Sequence, residues 1–101
     1  MQDQDIKADA GKLQIRMVPP QIVRDIAVIR GYGVAKYGEK ESWRRVEVDR
    51  YVDALLRHTL DFIEDYYSVD EESGHYHYQH MACNMAFLCE LLKEGNKNDG
   101  D

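Results

Sequence analysis

The apolar residues of this chain recur at helical spacing in three separate stretches. In the first, Ile22, Ile26 and Ile29 repeat every three or four positions, as residues on one face of an α-helix do. They predict a first helix over residues 20–36. The helix should stop at Gly38, because glycine readily takes the left-handed conformation that ends helices.

The second stretch places apolar and charged residues on opposite sides of a helix predicted over residues 47–67. The apolar stripe consists of Val52, Leu55, Leu56, Leu60 and Ile63. The charged side consists of Asp53, Arg57, Asp61 and Glu64. These four charged side chains stack along three turns, where they could converge on one ligand. They also make ordinary (i, i+4) ion pairs, which need no function to explain them.

A third apolar pattern follows the break at Ser73 and Gly74. It predicts a helix over residues 76–93, whose apolar row consists of Met81, Met85, Leu88 and Leu92. His77, His80 and Asn84 fall at i, i+3 and i+7, so these three polar side chains share one helical face.

The remaining segments complete the prediction of a single domain. Residues 11–20 alternate briefly before a Pro-Pro pair and predict an extended N-terminal arm laid against the body. Residues 1–10 and 94–101 are polar and are expected to be flexible tails. The fold class predicted for residues 11–93 is therefore all-α, with three main helices in a small bundle. Because three helices with this much apolar surface often need a partner, we expect a homodimer or a larger homo-oligomer.

Composition narrows the classes of function. The 101 residues carry a net charge of −6, which argues against nucleic acid polymers and membranes as partners. The chain has no apolar run near the roughly 18 residues of a membrane span and no secretory leader, so we expect a cytoplasmic protein. Cys83 and Cys89 lie six positions apart, which is not a metal-binding spacing, and we expect both to be buried free thiols.

The charges are unevenly distributed along the chain. Residues 24–57 hold eight Lys and Arg, whereas residues 61–72 hold six acids and no Lys or Arg. A basic half beside an acidic patch suits a phosphorylated ligand together with a divalent cation. The same numbers of basic and acidic residues would also arise if they simply formed two solvent-exposed surfaces. Charge alone therefore does not distinguish the two interpretations.

Two kinds of metal site are compatible with the residues. His75, His77 and His80 resemble a zinc ligand set loosely, with His58 or a nearby acid as a fourth ligand. Magnesium prefers oxygen ligands, and the carboxylates placed to hold it are Asp61, Glu64, Asp65 and Glu72. We expect Mg²⁺ if the protein is an enzyme, and Zn²⁺ less so. Alternatively, the histidines hydrogen-bond to carboxylates across the bundle and bind no metal.

Short motifs spread over residues 8–92 resemble a known family. They are A-D-A-G-K at 8–12, V-P-P at 18–20, K-Y-G at 36–38, Trp43, R-H at 57–58, D-E-E-S-G at 70–74, and then His77, His80 and Asn84. In this order and spacing they resemble the phage and bacterial dATP/dGTP diphosphohydrolase-like proteins, which are grouped with the all-α nucleotide pyrophosphohydrolases of MazG type.

The resemblance implies a magnesium-dependent cleavage of purine (deoxy)nucleoside triphosphates that releases pyrophosphate. By position, the phosphate-binding residues would be Lys12, Lys36 and Arg57. The pocket would be lined by His58, His77, His80 and Asn84, with Trp43 or Tyr37 stacked on the base. The catalytic candidates are Asp61, Glu64 and His58, and Glu72 would join the late acids of the second helix at the metal.

The chain also departs from the MazG-type pattern. An E-x-x-E helix followed by an E-x-x-D helix is usual there, but the second helix here offers Asp61-x-x-Glu64 and the third offers His77-x-x-His80. A second hypothesis follows from this difference. The pocket would then be catalytically inactive and would sequester or sense a nucleotide signalling molecule.

Overall fold

The computed structural model describes residues 11–96, and of Asn96 only the backbone. Its helices are α1 (Gln21–Tyr37), α2 (Val48–Glu64) and α3 (His77–Asn96), with short 3₁₀ turns at Ile15–Met17 and Ser42–Arg45. Between residues 11 and 96 the only β-pairing is a single bridge of Val69 with Tyr76. The predicted all-α class with three helices is confirmed. Within this range no helix combines the length and apolar character that crossing a membrane requires.

Two helix ends have clear local causes. Gly38 ends α1 in the left-handed region, at φ 75°, and its N–H donates to the Val34 carbonyl at 2.7 Å. By contrast, α2 ends at Glu64, three residues before the predicted end. There the Asp65 carboxylate accepts a hydrogen bond from the backbone N–H of Tyr67 at 2.9 Å, and this local turn competes with another helical turn.

The centre of the bundle, where α3 packs against both α1 and α2, is unusually polar. The buried apolar residues in the described part of the chain are Ile29, Cys83 and Leu88. The buried polar residues are Asp25, His77, His80 and Asn84. Burying a polar group costs free energy unless it is hydrogen-bonded, so such a concentration of polar groups points to a functional centre.

The apolar surface lies largely outside this centre. On α2 the residues turned toward the bundle are half-buried Tyr51, Ala54, Leu55, His58, Thr59 and Phe62. The rest of the predicted apolar stripe is exposed, with Leu56 at 55% and Leu60 at 64%. The N-terminal arm is also less packed than predicted, because Leu13 is 86% exposed. The predicted tail 1–10 lies outside the described residues. The predicted tail 94–101 was set too early, because residues 94–96 continue α3, and residues 97–101 lie outside the described range.

The expectation for the two thiols is half wrong. Cys83 is buried, and burial raises its pKa to about 11, but Cys89 is exposed. Six residues along a helix turn a side chain about 120° away from the first, so the two cysteines of α3 face different environments.

Asp25 connects α1 to α3. Its Oδ1 accepts hydrogen bonds from Gln21 Nε2 at 3.0 Å and from Gln79 Nε2 at 2.9 Å, and the residue is buried. Both amide donors are thereby satisfied by one carboxylate. The sequence pattern did not single out this residue.

Replacing Asp25 by alanine is expected to lower the free energy of unfolding by about 1–3 kcal/mol, because two partly buried amides lose their acceptor. Urea denaturation followed by circular dichroism measures the change. Asp53→Ala on the exposed side of α2 is the matched control and should change stability by no more than about 0.5 kcal/mol. Equal stability of the native chain and Asp25→Ala would contradict this role.

Candidate functional site

A cavity of about 620 Å³ lies among the three helices. Its cationic lining consists of Arg30, Lys36, Arg50 and Arg57, and its acidic lining of Glu39, Asp70 and Glu72. This volume is in the range of pockets that hold small-molecule ligands. The cations make it suitable for an anionic ligand.

One face of α3 forms a wall of this cavity. His80, Asn84 and Phe87 line it at i, i+4 and i+7, so the face changes from imidazole to amide to aromatic ring over about two turns, or roughly 10 Å. His80 and Asn84 are buried. The wall therefore presents hydrogen-bonding groups at one end and an apolar surface at the other.

The aromatic end is built around Phe87. Trp43 stacks on this ring with centroids 4.6 Å apart and planes 14° apart, and Tyr51 packs at 5.0 Å. The Tyr51 hydroxyl donates to the Trp43 carbonyl at 2.8 Å, which holds the segment before α2 against the helix. The Arg44 guanidinium lies 4.4 Å from the Trp43 centroid. Tyr37, in contrast, is 67% exposed at the cavity margin.

Three histidines meet at the other end. His58 of α2 and His77 of α3 approach through their Nδ1 atoms at 2.8 Å, and the ring of His80 stacks on His58 at 4.5 Å with planes 4° apart. Burial and the neighbouring His77 lower the pKa of His58. Burial and the neighbouring His58 lower the pKa of His80 to about 4, so this ring is neutral at physiological pH.

The loop before α3 carries Asp70 to these histidines. Asp70 Oδ2 accepts the Ser73 backbone N–H at 2.9 Å, and Gly74, at φ 75°, donates its N–H to the Asp70 carbonyl at 2.7 Å. The Ser73 hydroxyl lies 2.7 Å from His80 Nε2. Burial raises the pKa of Asp70, but the hydrogen bonds from Ser73 outweigh it and the net pKa is lowered, which favours the carboxylate.

A second, smaller cavity of about 440 Å³ opens beside the first. Its carboxylate lining consists of Asp61, Glu64, Asp65, Asp70, Glu71 and Glu72, and His77 completes that wall. Asp70 and Glu72 line both cavities. At their border Lys36 Nζ pairs with Glu72 Oε1 at 2.5 Å, and this hydrogen bond raises the pKa of Lys36. A cationic aromatic cavity thus adjoins an acidic cleft.

Residues 2–101 match the model of the protein family described as dATP/dGTP diphosphohydrolase, N-terminal. The chain belongs to this family. The protein named dATP/dGTP diphosphohydrolase from Salmonella phage PMBT28 is 31% identical over 94 residues, which are 93% of this chain and 32% of that protein. The chain therefore spans about a third of the length of that relative. No solved structure matches it.

This diphosphohydrolase-family chain brings most of the predicted site residues to the two cavities. The first is lined by Lys36, Tyr37, Trp43, Arg57, His58, Glu72, His80 and Asn84. The second is lined by Asp61, Glu64, Asp65, Glu72 and His77. Lys12 lines neither cavity and lies in the exposed arm. The roles of all these residues stay predictions.

Several residues that the structure places in the site had no role assigned from the sequence, among them Arg30, Asp70 and Phe87. Phe87 forms the base of the aromatic end, with Arg30 5.4 Å over its ring, and Asp70 lies between the two cavities. A signal for Asp70 was present, because Asp-x-x-Ser-Gly is a turn sequence in which the carboxylate accepts a backbone N–H. Phe87 lies three positions after Asn84, so it falls on the same face of α3 as His80 and Asn84.

Proposed function

We propose that this chain binds a purine (deoxy)nucleoside triphosphate across the two cavities. It hydrolyses the ligand between the α and β phosphates and releases pyrophosphate. The observation that carries the proposal is the junction at Asp70 and Glu72 between a cationic, aromatic cavity and a cleft of carboxylates. The activity for which the phage relative is named supports the same class of substrate. The nucleotide pool concerned is that of the cytoplasm, or of the host cytoplasm if a phage encodes the chain.

The two ends of the first cavity suit the two ends of a nucleotide. The base would lie at the aromatic end formed by Trp43, Tyr51 and Phe87. The Lys36 ammonium lies 5.1 Å from the centroid of Tyr37, which places that ring toward the phosphates. The phosphates would then lie near Lys36 and Arg57, toward the acidic cleft. Arg57 can bind a phosphate through two parallel hydrogen bonds, which a guanidinium is shaped to make.

The acidic cleft fits a magnesium ion by donor chemistry. Its oxygen donors would come from Asp61, Glu64, Asp65 and Glu72, and magnesium commonly takes one or two carboxylates together with substrate phosphates. When bound, Mg²⁺ supplies positive charge that stabilises phosphoryl transfer. Asp61, Glu64 and His58 would orient the attacking water and accept its proton.

The direct test is incubation of the purified chain with each (d)NTP and Mg²⁺, followed by chromatography of the nucleotides and detection of pyrophosphate. We expect equimolar nucleoside monophosphate and pyrophosphate from dATP, dGTP or both. Absence of turnover with every triphosphate at high protein concentration would overturn the proposal of hydrolysis.

A second candidate function is sequestration of a nucleotide without cleavage. It is favoured by the buried polar residues of α3, because His77, His80 and Asn84 carry imidazole and amide groups that can hold phosphates by hydrogen bonding alone. Mass spectrometry of the small molecules released by heat denaturation distinguishes the two functions. An intact nucleotide recovered from a chain without turnover supports sequestration.

We further propose that a second copy of this chain covers the exposed apolar stripe of α2. The stripe includes Leu56, Leu60 and Ile63, which are all more than half exposed, on a helix whose other side packs on α3. Isolated surface leucines are ordinary, but a continuous stripe over several turns of one helix is typical of an interface.

Leu60→Glu places a charge in the middle of this stripe and is expected to weaken the homo-oligomer at least about tenfold, because a carboxylate would be buried without a partner. Size-exclusion chromatography with light scattering over a dilution series measures the change. Leu92→Glu on α3, where Leu92 is similarly exposed, is the matched control. A native chain that is monomeric at every concentration contradicts the proposal.

A further inference from the structure

Three metal-ligating side chains converge where the two cavities meet. His58 comes from α2, Asp70 from the loop and His77 from α3, and one ligand atom from each lies within 4.8 Å of the others. We propose that His58, Asp70 and His77 form a binding site for a transition-metal ion of the zinc class. Its ligands are distinct from the carboxylates suited to magnesium. His58 belongs to both proposals, but zinc binding is measured without the proposed hydrolysis.

The spacing of the two imidazoles is close to that required by a shared ion. Their Nδ1 atoms are 2.8 Å apart. Two nitrogen ligands about 2.0–2.1 Å from one zinc ion are separated by about 2.9 Å at a right angle and about 3.4 Å at the tetrahedral angle. A small rotation of either ring therefore suffices. Without an ion, only one of two facing Nδ1 atoms can donate a hydrogen to the other.

Each proposed ligand contacts a neighbour that restricts its orientation. Asp61 Oδ2 lies 3.6 Å from Nε2 of His77, the nitrogen opposite the one that faces His58. A carboxylate in this position favours the tautomer with hydrogen on Nε2 and leaves Nδ1 free for a metal. The stacked ring of His80 restricts His58, and the Ser73 N–H holds the Asp70 carboxylate at 2.9 Å.

The chemical types of the three ligands indicate which metal ion the site would bind. Imidazole nitrogen suits zinc, copper, iron and nickel, whereas magnesium takes oxygen ligands and retains much of its water. Two neutral imidazoles and one carboxylate form the set of three protein ligands seen in open zinc sites, with a fourth position left for water or a ligand oxygen. The cluster lies where the cavities meet, because His58 lines the first cavity, His77 the second and Asp70 both.

The two remaining histidines do not complete this set. His80 directs Nε2 to the Ser73 hydroxyl at 2.7 Å, and its ring lies parallel to that of His58 instead of pointing at the same place. His75 packs edge-on against Tyr32, with ring centroids 6.1 Å apart. The zinc set suggested by the spacing of His75, His77 and His80 is thus replaced by one that joins three separate segments.

Equilibrium dialysis of the tag-free chain against Zn²⁺, followed by elemental analysis, tests the site. We expect about one zinc per chain, retained in a large excess of Mg²⁺, and visible d–d absorption when Co²⁺ is used instead. His77→Gln and Asp70→Asn should each weaken zinc binding at least about tenfold. His75→Gln and Cys89→Ser, which lie outside the cluster, are the matched controls and should leave the affinity unchanged.

Circular dichroism of every variant checks that the helices are retained. X-ray absorption of the native chain loaded with zinc provides a second measurement that needs no substitution, with two imidazole ligands expected. No zinc binding by the native chain, undiminished binding by both cluster variants, or an all-oxygen ligand shell would each overturn the proposal. None of these measurements uses nucleotide turnover, so their outcome is separate from that of the proposed hydrolysis.

Discussion

Arg57→Ala is expected to lower kcat/KM for dATP and dGTP in the proposed hydrolysis by about 100-fold or more while the helical content stays unchanged. Arg57 lines the first cavity one residue before His58, so its charge lies beside the proposed phosphate position. Loss of one cationic donor that stabilises developing charge on a leaving group typically costs about 10²–10³ in rate. Steady-state kinetics with pyrophosphate detection measures the effect, and circular dichroism measures the helicity.

Arg24→Ala is the matched control for this substitution. Arg24 carries the same charge on α1, is exposed, and lines neither cavity, so its replacement should change kcat/KM by less than about twofold. Equal losses in both variants would mean that net charge, not a phosphate contact, governs activity. Full activity of Arg57→Ala would place the phosphates at another face of the bundle.

Asp61→Asn is expected to lower kcat by about 100-fold or more with a smaller change in KM. Asp61 lines the acidic cleft and approaches His77, so the substitution removes a negative oxygen donor without changing the size of the side chain. A group that acts on the reacting phosphorus and its metal, and not on the base, affects the chemical step more than binding. Kinetics at saturating Mg²⁺ separates kcat from KM.

Asp53→Asn serves as the control for the acidic cleft. Asp53 lies two turns earlier on α2 and lines neither cavity, so the same change of charge there should leave kcat unaffected. If raising the Mg²⁺ concentration restores Asp61→Asn to native activity, the residue acts mainly through ion affinity. An unchanged kcat at limiting Mg²⁺ would contradict a role for Asp61 in the cleft.

The helices were predictable because their signals are local. The isoleucine spacing of α1, the stop at Gly38 and the Ser73-Gly74 break before α3 depend on residues within a few positions of one another. The end of α2 was predicted too late, because the hydrogen bond from Tyr67 to Asp65 competes with helix continuation and leaves no mark in the apolar pattern.

The site was only partly predictable because it joins segments that are distant in the chain. The shared face of His77, His80 and Asn84 followed from helical periodicity, since all three lie on α3. The meeting of His58 with His77 spans 19 positions and depends on how α2 is rotated against α3. Periodicity within one helix does not determine that rotation, which is decided by side-chain packing between helices.

By itself, the sequence determined three helices, a basic half followed by an acidic stretch, and the family to which the chain belongs. The tertiary structure alone decided which faces meet. It turned most of the apolar stripe of α2 outward, left Lys12 away from both cavities and brought Asp70 within 4.8 Å of His58 and His77. The reason is that helix propensity and charge patterns act over a few residues. A binding site instead forms when helices pack against one another, and no single segment of the sequence determines their relative rotation.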